Sequence, residues 1–575
     1  MLAALPIFPN VVFSGDGCCQ CFPQIANNVR LRWLPLTEPT DTKTSGRSLT
    51  NIAGIVAIAT LISKVFGLIR QQAIAAAFGV GAAADAYNYA YVVPGFLLIL
   101  LGGINGPFHS AIVSVLSKRD RSESAAIVET VTTLVGGIML LVTIAIAIFA
   151  APIIDLVAPG LNATPEGMEI RAIAIRQLRI MSPMALLAAF IGIGFGTLTA
   201  SDRYWLPSIS PLFSSSTLIA GLAILAIALG KDITRPEYAL LGGMVLAVST
   251  LLGAIFQWVV QLISQWRSGM GKFRLRFAFR HRGVREILKI LGPATFSSGM
   301  LQINVYTDLW FASFIPQAAA ALGYAGLLVQ TPLGIISNVL LVPLMPVFSR
   351  LSDPQNWDAL KGRIRQGLVL TGLTMLPLGA LMIPLAFPIV RVVYERYAFD
   401  KEASQLVAPL LVAYGLGMFV YLARDVLVRV FYALGDGQTP FRISVINIFL
   451  NALFDYIAMN LFGAPGLVLA TAGVNFFSLL VLLVLLHRKI YGLPWIAWSI
   501  PLAKLFVGSL VAGFAAYGIL QGCQQVLGTA GFWVQLLALT LAGFGGLGIF
   551  AALATQMNLP EVDIFVSQVK RKLGR

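Results

Sequence analysis

Runs of apolar residues long enough to cross a hydrocarbon core of ~30 Å recur along this chain from near residue 51 to residue 556. Backbone inside a bilayer must satisfy its own hydrogen bonds, so repeated runs of this length predict membrane-crossing helices. Reading the runs against charged punctuation gives fourteen spans: 51–78, 86–116, 127–157, 174–200, 206–229, 238–264, 290–314, 321–348, 366–394, 404–433, 441–462, 464–486, 497–521 and 530–556. They fill nearly the whole chain, which excludes one anchor carrying a soluble domain. Only 11% of the residues are charged and the mean hydropathy is +0.83, too little charge to cover a soluble surface. The expected fold class is an all-α polytopic membrane protein.

Fourteen crossings put both termini on one side, and the basic residues choose it. With the N-terminus in the cytoplasm, the inner loops carry nineteen Lys and Arg and the outer loops eight. Both termini are therefore expected in the cytoplasm. Eight of the nineteen lie between Arg267 and Lys289, and the same bias accounts for the net charge of +15. Such a segment can signal nucleic acid, but a topology-setting loop facing anionic headgroups is the simpler reading, so membrane lipids and no nucleic acid are the expected partners.

Two turns look alike: Thr199-Ala200-Ser201-Asp202-Arg203-Tyr204-Trp205-Leu206-Pro207 after span four, and Tyr432-Ala433-Leu434-Gly435-Asp436-Gly437-Gln438-Thr439-Pro440 after span ten. Their aspartates are 234 residues apart and their prolines 233, while Tyr89-Ala90 and Tyr324-Ala325 are 235 apart. A near-constant offset predicts that spans 1–6 and 7–12 are duplicates. Each copy has an even number of spans, so the two share one orientation, as in transporters whose lobes rock about a central cavity. The organisation expected is an N-terminal cytoplasmic extension (1–47), an N-lobe (48–265), a basic loop (266–289), a C-lobe (290–487), and two final spans with a basic tail (488–575).

The stretch Ile62-Ser63-Lys64-Val65-Phe66-Gly67-Leu68-Ile69-Arg70, with Phe78-Gly79 and Ala84-Asp85-Ala86 after it, resembles the opening of MurJ/MviN proteins. So do Phe431-Tyr432-Ala433 with Asp436 and Thr439-Pro440, and Gln302-Ile303-Asn304 through Phe311-Ala312-Ser313 is similar to the family's seventh helix. The resemblance runs from about residue 48 to the C-terminus. It implies the MOP superfamily fold, MATE-like, with two six-helix lobes and two last helices forming a groove for a lipid tail. It also implies a bacterial inner-membrane flippase that carries lipid II, an undecaprenyl-pyrophosphate-linked disaccharide pentapeptide, to the outer leaflet, alongside the cell-wall synthesis machinery.

Ionisable groups within spans are expensive and need a reason. Lys64 and Arg70 lie in span one, ~120° apart around the helix and nearly two turns apart in depth. They can line a cavity at two levels, and cations suit a pyrophosphate; snorkelling or a structural ion pair is the other reading. The resemblance implies that they face the cavity and are needed for flipping, with Asp85 orienting them or serving structure. Members of the family commonly carry arginine in span two, where this chain reads Phe96-Leu97-Leu98-Ile99-Leu100-Leu101. In span eight they carry an Asp-Arg pair and a Glu, against Gly326, Leu327 and Gln330 here.

Asp308 in span seven, Asn451 and Asp455 one helical turn apart in span eleven, and Thr471 with the Leu467 carbonyl in span twelve offer oxygens suited to a hard cation. These positions resemble a sodium site of some family members. Protonated or hydrogen-bonded aspartates are the alternatives, and no other cofactor is expected. Arg424, Asp425 and Arg429 in span ten read as an internally neutralised structural or gating group, with Asp425 and Arg429 as the i,i+4 pair.

Cys18, Cys19 and Cys21 lie in an extension without a credible signal peptide, read as a tail or an overextended start. His109, His281, His487 and Cys523 are too scattered for a metallocentre or a disulfide framework. A membrane glycosyltransferase would need carboxylates on a sizeable outer loop, and no Asp-x-Asp occurs, so no catalytic residues and no enzyme are expected. An exporter of another polyprenyl-pyrophosphate-linked glycan and a MATE-like drug or cation antiporter are the rival transporters; the cations Lys64 and Arg70 favour an anionic substrate.

Overall fold

The computed structural model describes residues 49–103, 106–300 and 303–562. The 1–47 extension with its three cysteines, Gln302 of the seventh-helix motif and the tail beyond 562 lie outside the described residues. The first half of the chain holds α1 (Leu49–Phe78), α2 (Ala82–Gly102), α3 (Pro107–Leu116), α4 (Arg121–Ile148), α5 (Ala150–Val157), α6 (Pro165–Met181), α7 (Met184–Ala200), α8 (Trp205–Ile209), α9 (Pro211–Leu229) and α10 (Ala239–Arg267). Next, α11 (Arg282–Met300) and α12 (Ile303–Ala312) lead to α13 (Ala318–Arg350), α14 (Trp357–Tyr394), α15 (Lys401–Ala433), α16 (Gln438–Phe462) and α17 (Ala464–Lys489). The last two are α18 (Trp495–Leu527) and α19 (Phe532–Gln556).

Eleven of the described helices are long and apolar enough to cross a membrane, or twelve if α6 and α7, bent by 44°, count as one span. That bend falls at Pro183, whose ring and missing N–H interrupt the ladder. The fourteen expected spans include two more segments: 51–78, which is helical in α1, and 290–314, which is divided between α11 and α12. The nineteen residues of α11 carry four charges (Arg282, Arg285, Glu286 and Lys289), and α12 is ten residues long, so neither crosses alone by length and composition.

The duplication is visible in how helices end. After α7, Asp202 is left-handed (φ +60°) and the Arg203 N–H donates to the Leu198 carbonyl at 2.9 Å. After α15, Gly435 is left-handed (φ +73°) and the Asp436 N–H donates to the Phe431 carbonyl at 2.9 Å. These are one and the same C-cap, 233 residues apart. Gly230 after α9 (φ +58°) and Gly463 after α16 (φ +64°) repeat at the same offset, in a conformation that a side chain rarely adopts. The sequence alignment of Asp202 with Asp436 is thereby corrected by one residue. Asp202 pairs with Gly435, because the position demands a left-handed residue and either Asp or Gly supplies it. Asp436 instead ties the turn to α17 and to the start of α16, accepting from Lys489 Nζ at 2.7 Å and from the Thr439 N–H at 3.0 Å. Burial would raise its carboxyl, but these bonds outweigh that and hold it below the usual range.

Packing repeats as well. In the first half α7 is lined by α2, α4 and α10, and α9 packs on α10; in the second α15 is lined by α13, α14 and α17, and α16 packs on α17. The final pair, α18 and α19, rests on α14. The two halves thus repeat one arrangement of helices in the same order, with two helices added at the end. One end of the bundle carries the basic loops and is called the basic end below; the other is the far end.

The basic loop is a strap held against α4. Glu129, only 3% exposed, accepts from the Lys272 N–H at 3.0 Å and from Arg274 Nε at 2.7 Å; one turn on, Thr133 Oγ1 accepts from the Arg276 N–H at 3.0 Å. Phe273 wedges against Phe190 and Trp258, with ring centroids 5.6 and 5.3 Å away. Replacing Glu129 by alanine frees the strap; the cost expected is about 1–2 kcal/mol, since the arginines are largely exposed and only the backbone contact is sheltered. A lowered melting temperature of the purified protein, with faster hydrogen exchange confined to 269–281, is the check.

Candidate functional site

Lys64 and Arg70 stand on α1 and face different neighbours, as their angular separation requires. The Lys64 ammonium lies 3.3 Å from where a Cβ on Gly334 of α13 would be, so it occupies space between the two halves that any larger residue there would crowd. Arg70 lies within electrostatic reach of Tyr87 and Tyr91, two stacked rings of α2. Its Nε is buried without a hydrogen-bond partner. Neither cation belongs to an ion pair among the described residues. Two uncommitted cations on a largely apolar helix are costly unless an anion comes to them.

Asp85 is not joined to those cations. Its carboxylate, 1% exposed, accepts from the Ala320 N–H at 2.8 Å and so caps the N-terminus of α13 across the boundary between the halves. Around it the two halves bond repeatedly. Tyr324 OH donates to the Gly79 carbonyl at 2.7 Å, the Ala398 N–H to the Ala76 carbonyl at 3.1 Å, Gln72 Nε2 to the Val393 carbonyl at 3.1 Å and the Gly160 N–H to Ser313 Oγ at 3.0 Å. All of these lie at the far end. At the basic end no hydrogen bond joins the first half to α12–α17 among the described residues; Arg119 and Glu286 link only α11 to it. Among the described residues, the hydrogen bonds that join the first half to α12–α17 lie at the far end alone.

Gly160 shows how tight the seal is. A Cβ there would come within 2.5 Å of the Ser313 carbonyl, which no real contact allows. Gly160→Ala is expected to part this contact, seen as faster hydrogen exchange at 158–164 and 313–317 and unchanged exchange at the α16–α17 turn.

The second constellation does come together. Asn451 Nδ2 donates to Asp308 Oδ1 at 2.8 Å and to Asp455 Oδ2 at 2.5 Å, and Thr471 Oγ1 lies 3.0 Å from both oxygens of Asp308. Asn451 and Asp455 are fully buried, and Asp455 Oδ1 has no partner. Leu467, also fully buried, sits one turn before Thr471 on α17. The Asn451 amide nitrogen lies between the two carboxylates, one oxygen of Asp455 is orphaned, and the carboxylate oxygens with Asn451 Oδ1 and Thr471 Oγ1 are the hard donors that a monovalent cation takes. Sequence reasoning missed Tyr414 and Tyr421 of α15, both within electrostatic reach of Asp308. Their seven-residue spacing, which sets them on one helix face, was the available signal.

The span-ten group is arranged otherwise than expected. Arg424 meets Asp425 at 3.7 Å and also reaches Ser478 at 3.1 Å and Ser444 at 3.4 Å, whereas Asp425 and Arg429 form no ion pair among the described residues. The two serines of α16 and α17 draw the Arg424 guanidinium sideways and leave it beside its sequence neighbour.

Two repeated helical halves, bonded to each other at the far end, with uncommitted cations between them, define a multi-pass membrane transporter of the alternating-access kind. The family model described as "Lipid II flippase MurJ" matches residues 74–537. A probable lipid II flippase MurJ of Synechocystis is 55% identical over 531 residues, covering 92% of this chain and 99% of that one. The chain belongs to the MurJ lipid II flippase family. A solved lipid II flippase MurJ in an inward closed conformation shares its fold, with a TM-score of 0.68 at 24% identity, covering 86% of this chain and 98% of that one. An inward-facing MATE transporter of the MOP superfamily aligns with a TM-score of 0.54 at 16% identity over 76% and 98% of the respective chains.

Proposed function

We propose that this chain flips lipid II from the inner to the outer leaflet of the bacterial inner membrane by alternating access, as a transporter and not an enzyme. The observation that carries the reading is the pair of cations, Lys64 and Arg70, unpaired among the described residues, in a bundle whose described hydrogen bonds between the halves gather at the far end. With the basic end and both termini in the cytoplasm, the arrangement is an inward-facing state. The pyrophosphate meets Lys64 and Arg70, which replace part of the water it sheds, while the isoprenoid tail follows the lipid-facing side of α18 and α19. Outward release requires the Asp85, Gly79, Ala76, Val393 and Ser313 contacts to part while the basic end closes. Cavity arginines common in the family are absent, so these two residues carry more of the headgroup binding. Expression of the chain in a bacterium depleted of its own flippase is expected to restore growth; normal membrane insertion without rescue would sink the reading. Partners in the cell-wall machinery belong to the same proposal, on family grounds alone.

Sodium is the cation proposed for Asp308, Asn451, Asp455, Thr471 and the Leu467 carbonyl, where it would neutralise two buried carboxylates. Sodium, but not choline, is expected to raise the melting temperature, as binding to the folded state alone must; at a hundredfold over Kd the gain is about 2.7 kcal/mol. Asp308→Ala should abolish the sodium effect. A sodium response that survives in this variant contradicts the site.

A further inference from the structure

Beside the transport route, α3 and α11 enclose a cleft of about 670 Å³ at the basic end. Its charge is unevenly spent. Arg119 donates to Glu123 at 3.0 Å and to Glu286 at 2.6 Å, and Arg282 also holds Glu286 at 3.2 Å. Both carboxylates are thereby satisfied. Lys118 on one wall and Lys289 on the other have no ion-pair or hydrogen-bond partner among the described residues, and both are exposed. The cleft therefore holds two committed arginines, two committed glutamates and two free ammoniums, a surplus of two positive charges. Ile290 on α11, 41% exposed, adds an apolar lip to the cleft.

We propose that this cleft is a binding site for the phosphate headgroup of an anionic membrane lipid of the leaflet at the basic end, with Lys118 and Lys289 as its two cationic arms and Ile290 against an acyl chain. Charge complementarity selects the occupant: a zwitterionic headgroup brings its own cation and leaves the surplus unanswered. The position gives the site a consequence. The first half is joined to the following span through α3 and α11, with Arg119–Glu286 as the polar tie, whereas α12 packs on α16 and α17. A lipid bridging Lys118 and Lys289 therefore fastens α11 to the first half, at the joint between the two rocking bodies.

The test is lipid retention by the purified full-length protein, read by native mass spectrometry while phosphatidylglycerol or phosphatidylcholine is titrated in. Wild type is expected to hold phosphatidylglycerol in preference. Each membrane-proximal lysine is worth about a factor of five, so Lys118→Gln/Lys289→Gln should weaken phosphatidylglycerol by about twenty-five-fold and leave phosphatidylcholine unchanged. Arg442→Gln, which removes an exposed cation elsewhere at the basic end, should change neither. A loss of about fivefold in Arg442→Gln, the share of one charge, would mean a response to net charge and overturn the site, as would unchanged retention in the double variant. Displacement by an equal concentration of inorganic phosphate would mark a site for free phosphate and overturn the lipid assignment. The assay contains no lipid II, so its outcome is independent of the transport reading.

Discussion

Replacing Lys64 and Arg70 together by alanine is expected to reduce lipid II flipping to below about 1% while leaving the protein at least as stable as wild type. The two halves of that result have one cause. Neither cation has a carboxylate partner among the described residues, and the buried Arg70 Nε has no hydrogen-bond partner there, so their removal breaks no ion pair that the structure describes. Their worth appears only when a pyrophosphate arrives. A hydrogen bond to a charged group contributes about 1.5–3 kcal/mol, so two lost together cost about 3–6 kcal/mol, or roughly two to four orders of magnitude in rate. Thermal unfolding and a flipping assay on the same preparation separate this outcome from structural damage. Unfolding at lower temperature alongside lost activity would indicate that the cations hold the fold.

The second large effect is expected at the far-end seal. Asp85→Ala with Tyr324→Phe removes the cap on α13 and the bond to the Gly79 carbonyl, one charge-assisted and one neutral. Together they are worth about 2–4 kcal/mol to the closed far end, enough to shift an inward–outward equilibrium by roughly thirty- to a thousandfold. Spin labels at Asn162 and Tyr397, exposed residues of the far-end loops on the two halves, report it in a background with the native cysteines replaced by serine. The wild-type distribution should be short, and the variant should add a longer population. An unchanged distribution would mean that the remaining contacts suffice and that Asp85 only caps its helix.

What the sequence disclosed follows from what local pattern encodes. Most of the spans and the duplication were legible because apolar length and helix-ending turns are local. The register of the repeat was off by one at Asp202 because the requirement is a left-handed backbone, which Asp and Gly meet equally; identity of residues misled where conformation decided. The Asp308, Asn451, Asp455 and Thr471 group was legible as a set of polar residues in apolar helices, each needing a reason. The seal was not, since its acceptors at Ala76, Gly79 and Val393 are backbone carbonyls, which carry no residue signature. Asp85 was singled out yet given other neighbours, because its partner is the free N–H of a helix start 235 residues away. Arg424 likewise found two serines on other helices that no i,i+4 rule contains.

The most direct test of the central claim is the accessibility of lipid II to an externally added, lipid II-cleaving toxin in a bacterium depleted of its own flippase and supplied with this chain. Restored cleavage that is lost again in Lys64→Ala/Arg70→Ala is the predicted result. A well-expressed, correctly inserted protein that leaves lipid II protected would contradict the account and point to a different lipid-linked glycan.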